Sequence, residues 1–238
     1  MYGRVFLTVR RWKMVQARPA GTGNPGGFNV TPAVPAERRS MKVTFIYTDY
    51  FEAISATSEP QGRVYLGIGY LSSALKQAGH QVDLLHLLRP TGREEFIDML
   101  EASGPELVAV SATTMQFPRV SQLARIASET TGVPVVCGGV HPTIDPGSAL
   151  AEPGIDYICR GEGEESMVEL CSALESGSSA RSIPGIWGRD SGGIFSNPAR
   201  ALVEDLDLLP FPDRTLFDPS NQDWGRCSSG GGCSSNCS

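Results

Sequence analysis

The stretch "ELVAVSATTMQFPRVSQLARIASETTGVPVVCGG", residues 106–139, decides the fold. Its opening, Glu106–Ala112, is a near-continuous apolar run, the pattern of a strand covered on both faces in a parallel sheet. The next stretch carries Val120, Leu123 and Ala127 at helical spacing and stops at Gly132. "VPVVCGG" then starts a second apolar run. Strand, helix and strand in so short a span make a parallel βαβ unit.

The same alternation extends outward in both directions. Upstream, "VTFIYT" (Val43–Thr48) reads as a strand. "GIGYLSSALKQAG" follows as a helix with Ile68, Leu71, Leu75 and Ala78 on one face and Gly79 as its stop. "QVDLLHL" is the second strand and "REEFIDMLEAS" the second helix. Downstream, a "DPGSALAEPG" connection leads to "IDYICR", strand five. "EESMVELCSALESG" closes the series, with Met167, Leu170, Cys171 and Leu174 at i, i+3, i+4 and i+7. The expected fold is therefore α/β, an open, doubly wound, five-stranded parallel sheet of Rossmann-like type in the flavodoxin-like order 2-1-3-4-5. A small hairpin around Ser191–Gly193 comes next, and "VEDLDLLPFPDRTLFDPS" reads as a Pro- and acid-rich linker.

In domain terms, residues 41–180 form the Rossmann-like unit and 181–225 the hairpin and linker. Residues 226–238 read as the start of a further segment. Residues 1–40 mix Arg with Pro, Gly and Thr without a sustained period. Met41, with a strand directly behind it, reads as a natural start, which makes the first forty residues a non-native or disordered extension; a targeting peptide is the other reading.

Composition narrows the function. With 40% hydrophobic and 19% charged residues, the 238-residue chain can bury a normal core. The net charge is −6 and no Lys/Arg cluster is dense enough for a nucleic-acid footprint. No apolar run approaches the ~20 residues of a membrane span. Of six cysteines, Cys137, Cys159 and Cys171 fall in apolar runs and read as small core residues. The other three crowd the C-terminal end. That is no secreted disulfide framework, and the expected compartment is a reducing cytoplasm.

Ligands of such sheets bind beyond the carboxyl ends of the strands. Three of those ends stand out: Ser111 and Thr113 after strand three, Gly138, Gly139 and His141 after strand four, Gly161 and Glu162 after strand five. Paired glycines let a large rigid ligand approach the backbone, and equally make tight strand-to-helix turns. His141 reads evenly as a cofactor contact or a turn residue. His80 follows a helix stop and is expected at a surface turn; His86 is expected to be packed or hydrogen-bonded in strand two. No G-x-x-x-x-G-K-[ST] occurs. "GIGYLS" and "GEGEES" lack the third glycine of G-x-G-x-x-G, and the acids of the second argue against phosphate. Glu164 and Glu165 are expected to charge a helix N-terminus.

"LGIGYLSSALKQAGHQVDLL", "CGGVHPT", "YICRGEGEES" and "LDLLPFPDR", in this order, resemble the cobalamin (vitamin B12)-binding domain of cobalamin-dependent radical SAM enzymes. The resemblance runs from about Met41 to the end. It implies cobalamin over the strand ends with its nucleotide tail threaded into the domain, near Ser111, Thr113, Gly138, Gly139, His141, Gly161 and Glu162. Asp-x-His-x-x-Gly is absent after strand one, which implies base-off cobalamin without a histidine ligand. In the family the linker precedes a radical SAM barrel with a C-x-x-x-C-x-x-C loop. Cys233 and Cys237 match its first two cysteines, metal ligands of a 4Fe–4S cluster that binds S-adenosylmethionine, so that the sequence is expected to stop inside this motif. Gly231 and Ser234 stand where the family usually has Arg and Pro, and a Gly/Ser-rich tail with incidental cysteines is the other reading. The full-length parent is then expected to be a methyltransferase acting on an unactivated carbon, with an electron donor such as flavodoxin or ferredoxin and a small-molecule substrate. The fragment alone is expected to be inactive, and no catalytic residue is assigned within it. A stand-alone cobalamin carrier or sensor, or a flavodoxin-like binding module, is the alternative. A receiver-like domain is disfavoured, because strand three ends "SATT" without an acceptor Asp.

Overall fold

The structure, a computed structural model, describes residues 40–49 and 64–218. Strand β1 (Lys42–Thr48) and strand β3 (Leu107–Ser111) lie side by side in the interior of one sheet. Their side chains alternate between faces with a period of two. Val43, Phe45, Leu107 and Ala109 join one buried apolar layer. Ile46, Val108 and Val110 join the other. That is why the sequence shows continuous rather than alternating apolar runs.

The first five strands, with β2 (Gln81–Leu87), β4 (Val135–Gly138) and β5 (Tyr157–Cys159), are parallel in the order 2-1-3-4-5. Helices α1 (Leu66–Gln77) and α6 (Glu164–Ser176) cover one face. Helices α2 (Arg93–Ser103) and α3 (Phe117–Thr131) cover the other. The short α4 (Val140–Ile144) and α5 (Pro146–Ala151) bridge β4 and β5. Chain order reverses between β1 and β3, so the crevice at their carboxyl ends is the topological switch point of the sheet.

Three features depart from the sequence reading. The hairpin, β6 (Ile186–Asp190) and β7 (Gly193–Ser196), is not an appendage: it pairs antiparallel with β5 and makes the sheet seven-stranded. This covers an edge that β5 would otherwise leave open. A side chain at Gly188 would run into the rings of Phe195 and Tyr157 at 2.7 Å, so these rings close over the missing one. The linker, next, does not lead straight away. It returns to α1 and buries Leu216 and Phe217 in the same layer as Ile68 and Leu75. Finally, His80 is buried rather than exposed, because the turn after α1 folds under the sheet. Its Nδ1 lies 3.4 Å from the Met41 amide and 3.5 Å from Glu175 on α6.

His86 is packed, as its strand position suggests, between the rings of Tyr47 and Phe217. Burial holds its imidazole below the ordinary value, while Asp49, 3.5 Å from Nε2, pulls the other way. Cys137, Cys159 and Cys171 are buried free thiols. No helix among the described residues is long and apolar enough to cross a membrane.

Candidate functional site

A cleft of about 160 Å³ opens between α1, α6 and the carboxyl ends of β3, β4 and β5. It exists because small residues stop side chains from filling the space. Ser111 ends β3 and Gly138 ends β4, hydrogen-bond neighbours in the ladder. Gly139 takes φ 97° and ψ −166°, a region essentially confined to glycine. A Cβ there would lie 2.9 Å from both the Ala112 carbonyl and Ser111 Oγ. Gly139 thus lets the backbone turn sharply against β3 and carry α4 away from the cleft.

Gly161, Glu162, Gly163 and Glu164 form the opposite lip. A Cβ on Gly163 would come within 2.9 Å of Leu71 on α1, so this glycine sets how closely the β5–α6 turn approaches α1. The walls are mostly apolar: Phe45, Tyr65, Ile68, Leu71 and Met167. Tyr65 is stacked on Tyr47 with ring centroids 5.0 Å apart.

Five of the seven cofactor-binding positions named from the sequence meet here: Ser111, Gly138, Gly139, Gly161 and Glu162. Thr113 and His141 do not line the cleft. Thr113 donates from Oγ1 to Gln116 Oε1 at 2.8 Å, and Gln116 Nε2 donates to the Thr48 carbonyl at 2.7 Å. Together they tie the end of β3 to the end of β1. His141 lies against Phe117 of α3, ring centroids 3.9 Å apart, with Nε2 3.3 Å from Ser148 Oγ. The one-turn α4 places it against α3 rather than among the residues that line the cleft. Cys233 and Cys237, the candidate cluster ligands, lie outside the described residues.

Glu164 has a part the sequence did not assign to it. It does sit in the first turn of α6, but it also lines the cleft and is only 9% exposed. Oε2 is buried and has no hydrogen-bond partner among the described residues. Burial pushes this carboxyl up and the negative charges of Glu162 and Glu165 add to that, while the amides of Glu164 itself and Gly163 oppose them. Nothing in "GEGEES" separates it from Glu165, which faces outward to Arg200 at 2.7 Å. Only the helix phase relative to α1 does so.

A cleft at the carboxyl edge of the sheet, floored by glycine, walled largely by apolar side chains and holding one unpartnered carboxyl oxygen, suits a flat ligand with a few polar atoms. The family model described as "B12 binding domain" matches residues 64–171, which span α1 through α6 and hence both walls of this cleft. Residues 64–171 thus carry the match to the B12-binding family.

The chain has relatives of known sequence and structure. An uncharacterized methyltransferase of Pyrococcus horikoshii is 31% identical over 155 residues, covering 64% of this chain and 34% of its own. The anaerobic magnesium-protoporphyrin IX monomethyl ester cyclase of Cereibacter sphaeroides is 31% identical over 192 residues, 76% of this chain and 30% of its own. The chain thus spans about a third of the length of these curated relatives. Among solved structures, the cobalamin-dependent S-adenosylmethionine radical enzyme OxsB, with aqua-cobalamin and S-adenosylmethionine bound, superposes with a TM-score of 0.60. Its identity is 23%, and the match covers 73% of this chain and 24% of that one. The radical S-adenosylmethionine methyltransferase TsrM of Kitasatospora setae, with cobalamin and a [4Fe-4S] cluster bound, gives 0.57 at 20% identity, covering 73% of this chain and 31% of that one. These two likenesses show a shared fold.

Proposed function

We propose that the cleft takes the nucleotide tail of cobalamin and that this chain is the cobalamin-binding part of a radical SAM enzyme. The observation that carries the reading is the cleft itself: its glycine-floored opening lies at the carboxyl ends of β3, β4 and β5, inside the segment that matches the B12-binding family. The residues fit such a group. At Gly138 a Cβ would meet only Cys159, at 3.7 Å and beyond, so space is kept open on the cleft side. Ser111 and Glu164 offer polar atoms within otherwise apolar walls.

When bound, cobalamin supplies a cobalt centre able to pass a methyl group from S-adenosylmethionine to a substrate. The work of this domain is to hold the cofactor. Gly138 and Gly139 admit it, Leu71, Tyr65 and Met167 exclude water around its tail, and Glu162 stands exposed at the rim. With methyltransferases among the relatives, a methyltransferase acting on an unactivated carbon is the favoured activity of the whole protein. Cys233 and Cys237 would begin the site of the 4Fe–4S cluster that binds S-adenosylmethionine. An external one-electron donor, such as flavodoxin or ferredoxin, would reduce that cluster. Thr113 and His141 shape the surroundings of the cleft rather than touch the cofactor.

The test is a spectroscopic titration of hydroxocobalamin into the purified 238-residue chain, followed by desalting. A stoichiometric, retained corrinoid with a base-off spectrum is expected. A folded chain that releases the corrinoid on desalting would remove the cofactor reading and leave a flavodoxin-like binding module.

A further inference from the structure

Glu164 lines the cleft, and its Oε2 is a buried polar atom without a hydrogen-bond partner among the described residues. We propose that Glu164 determines specificity for the base of the nucleotide tail, its Oε2 making the hydrogen bond to a ring nitrogen that is not bound to cobalt. This rests on the cobalamin reading and deepens it by naming the contact that tells a complete cobalamin from a corrinoid without its base.

The surroundings decide which form of the carboxyl is present. An ionised carboxylate in a largely apolar cleft is costly, so burial favours the protonated form, against the opposing bonds from the Glu164 and Gly163 amides. No cation among the described residues figures in the charges that shift it, and Arg160, just before this turn, lies over the Trp187 ring at 5.0 Å. Arg200 is held by Glu165 and Glu169, each at 2.7 Å. Lys76, on α1, is held by Asp213. From α1 the cleft receives Ile68 and Leu71, and from the entry to that helix the Tyr65 phenol. From the sheet it receives Ser111 and Cys159, whose thiol is pushed up to about 12 by burial and stays neutral. From the β5–α6 turn and α6 come Glu162 and Met167; Glu162, and Glu165 from outside the cleft, raise the carboxyl further.

A protonated carboxyl is a donor, and an imine-type ring nitrogen is an acceptor without a hydrogen of its own. The apolar walls of Phe45, Leu71 and Met167 suit the flat face of such a base. Ser111, Tyr65 and Glu162 also bring polar atoms to the cleft, but none of them is among the buried atoms left without a partner. The unpaired Oε2 costs free energy until a ligand arrives, and that cost is relieved on binding.

The test compares hydroxocobalamin with dicyanocobinamide, which has the corrin ring but no nucleotide base, on the full chain. Circular dichroism checks that each variant is folded. Glu164→Leu should weaken cobalamin about tenfold, the worth of one hydrogen bond in a dry site, and leave cobinamide unchanged. Glu164→Gln keeps a donor and should bind cobalamin within about threefold of the wild type at mildly acidic pH. As pH rises the wild-type carboxyl loses its proton and faces the base as a second acceptor, so cobalamin affinity should fall, whereas Glu164→Gln should stay flat. Equal loss of both corrinoids in Glu164→Leu, no loss of either, or a wild-type pH profile in Glu164→Gln would each overturn the assignment while leaving the cobalamin site standing. Should Glu164→Leu fail to fold, the Glu164→Gln profile decides alone. A wild-type chain that retains neither corrinoid overturns the site reading itself.

Discussion

Gly138 and Gly139 are neighbours at the end of β4, yet an added methyl group would act differently at each. At Gly139 the backbone lies where L-residues are strained, and the Cβ would press on Ala112 and Ser111. Gly139→Ala should therefore lower stability by about 1–3 kcal/mol or more, read as a shift of the urea midpoint at unchanged slope. At Gly138 the new Cβ would meet Cys159 at ordinary contact distances. Gly138→Ala should leave the midpoint nearly unmoved, and Gly138→Leu should keep its circular dichroism while losing cobalamin at least tenfold, because the side chain takes up cleft volume. A Gly138→Leu chain that binds cobalamin normally would show that the cleft is not the site. The pair was visible in the sequence as "GG" after a strand. Which glycine is needed by the backbone and which has room for a side chain was not, because that depends on Ala112 and Ser111, brought alongside only by β3–β4 pairing.

The strands and helices were readable because each carries its own period. The segment after the hairpin was not, because its partners lie far away in sequence. "LPFPDR" looks like a tether, but Asp213 is a fastening. Its carboxylate accepts from Ser72 at 2.8 Å and from Lys76 at 2.5 Å on α1, and from Thr215 at 2.6 Å. The Asp213 amide donates to the Gly69 carbonyl at 3.0 Å. Partial burial alone would push this carboxyl up, but the bonds from Lys76, Thr215 and Ser72 outweigh it and bring it down to about 2. The folded value is thus below the unfolded one. The stabilisation is complete above the ordinary carboxylate value of 3.8 and is lost as pH falls through about 2. Asp213→Asn should cost about 1–3 kcal/mol at neutral pH and flatten the acid limb of the stability–pH curve in that window. An unchanged acid limb would mean that the segment is not fastened through this carboxylate. Since α1 is also one wall of the cleft, the same variant should loosen cobalamin binding without touching the cofactor.

The three buried thiols sample both sides of the sheet: Cys137 lies in the layer under α3, Cys159 and Cys171 in the layer under α1 and α6. Burial pushes each thiol up to about 12, so at mildly alkaline pH none is a reactive thiolate in the folded chain. The two layers share every central strand, Val108 and Ala109 of β3 facing opposite ways, which argues that neither can open while the other stays packed. Labelling with a thiol reagent in sub-denaturing urea, resolved by peptide mass spectrometry, should modify Cys137, Cys159 and Cys171 at one common rate that follows global unfolding. Cobalamin that binds only the folded chain should slow all three alike, by about a hundredfold when free ligand stands at 100 times Kd. If Cys159 and Cys171 label early while Cys137 stays protected, the α1–α6 layer opens on its own. The cofactor would then enter by local opening of that layer, and its protection would fall on those two thiols alone.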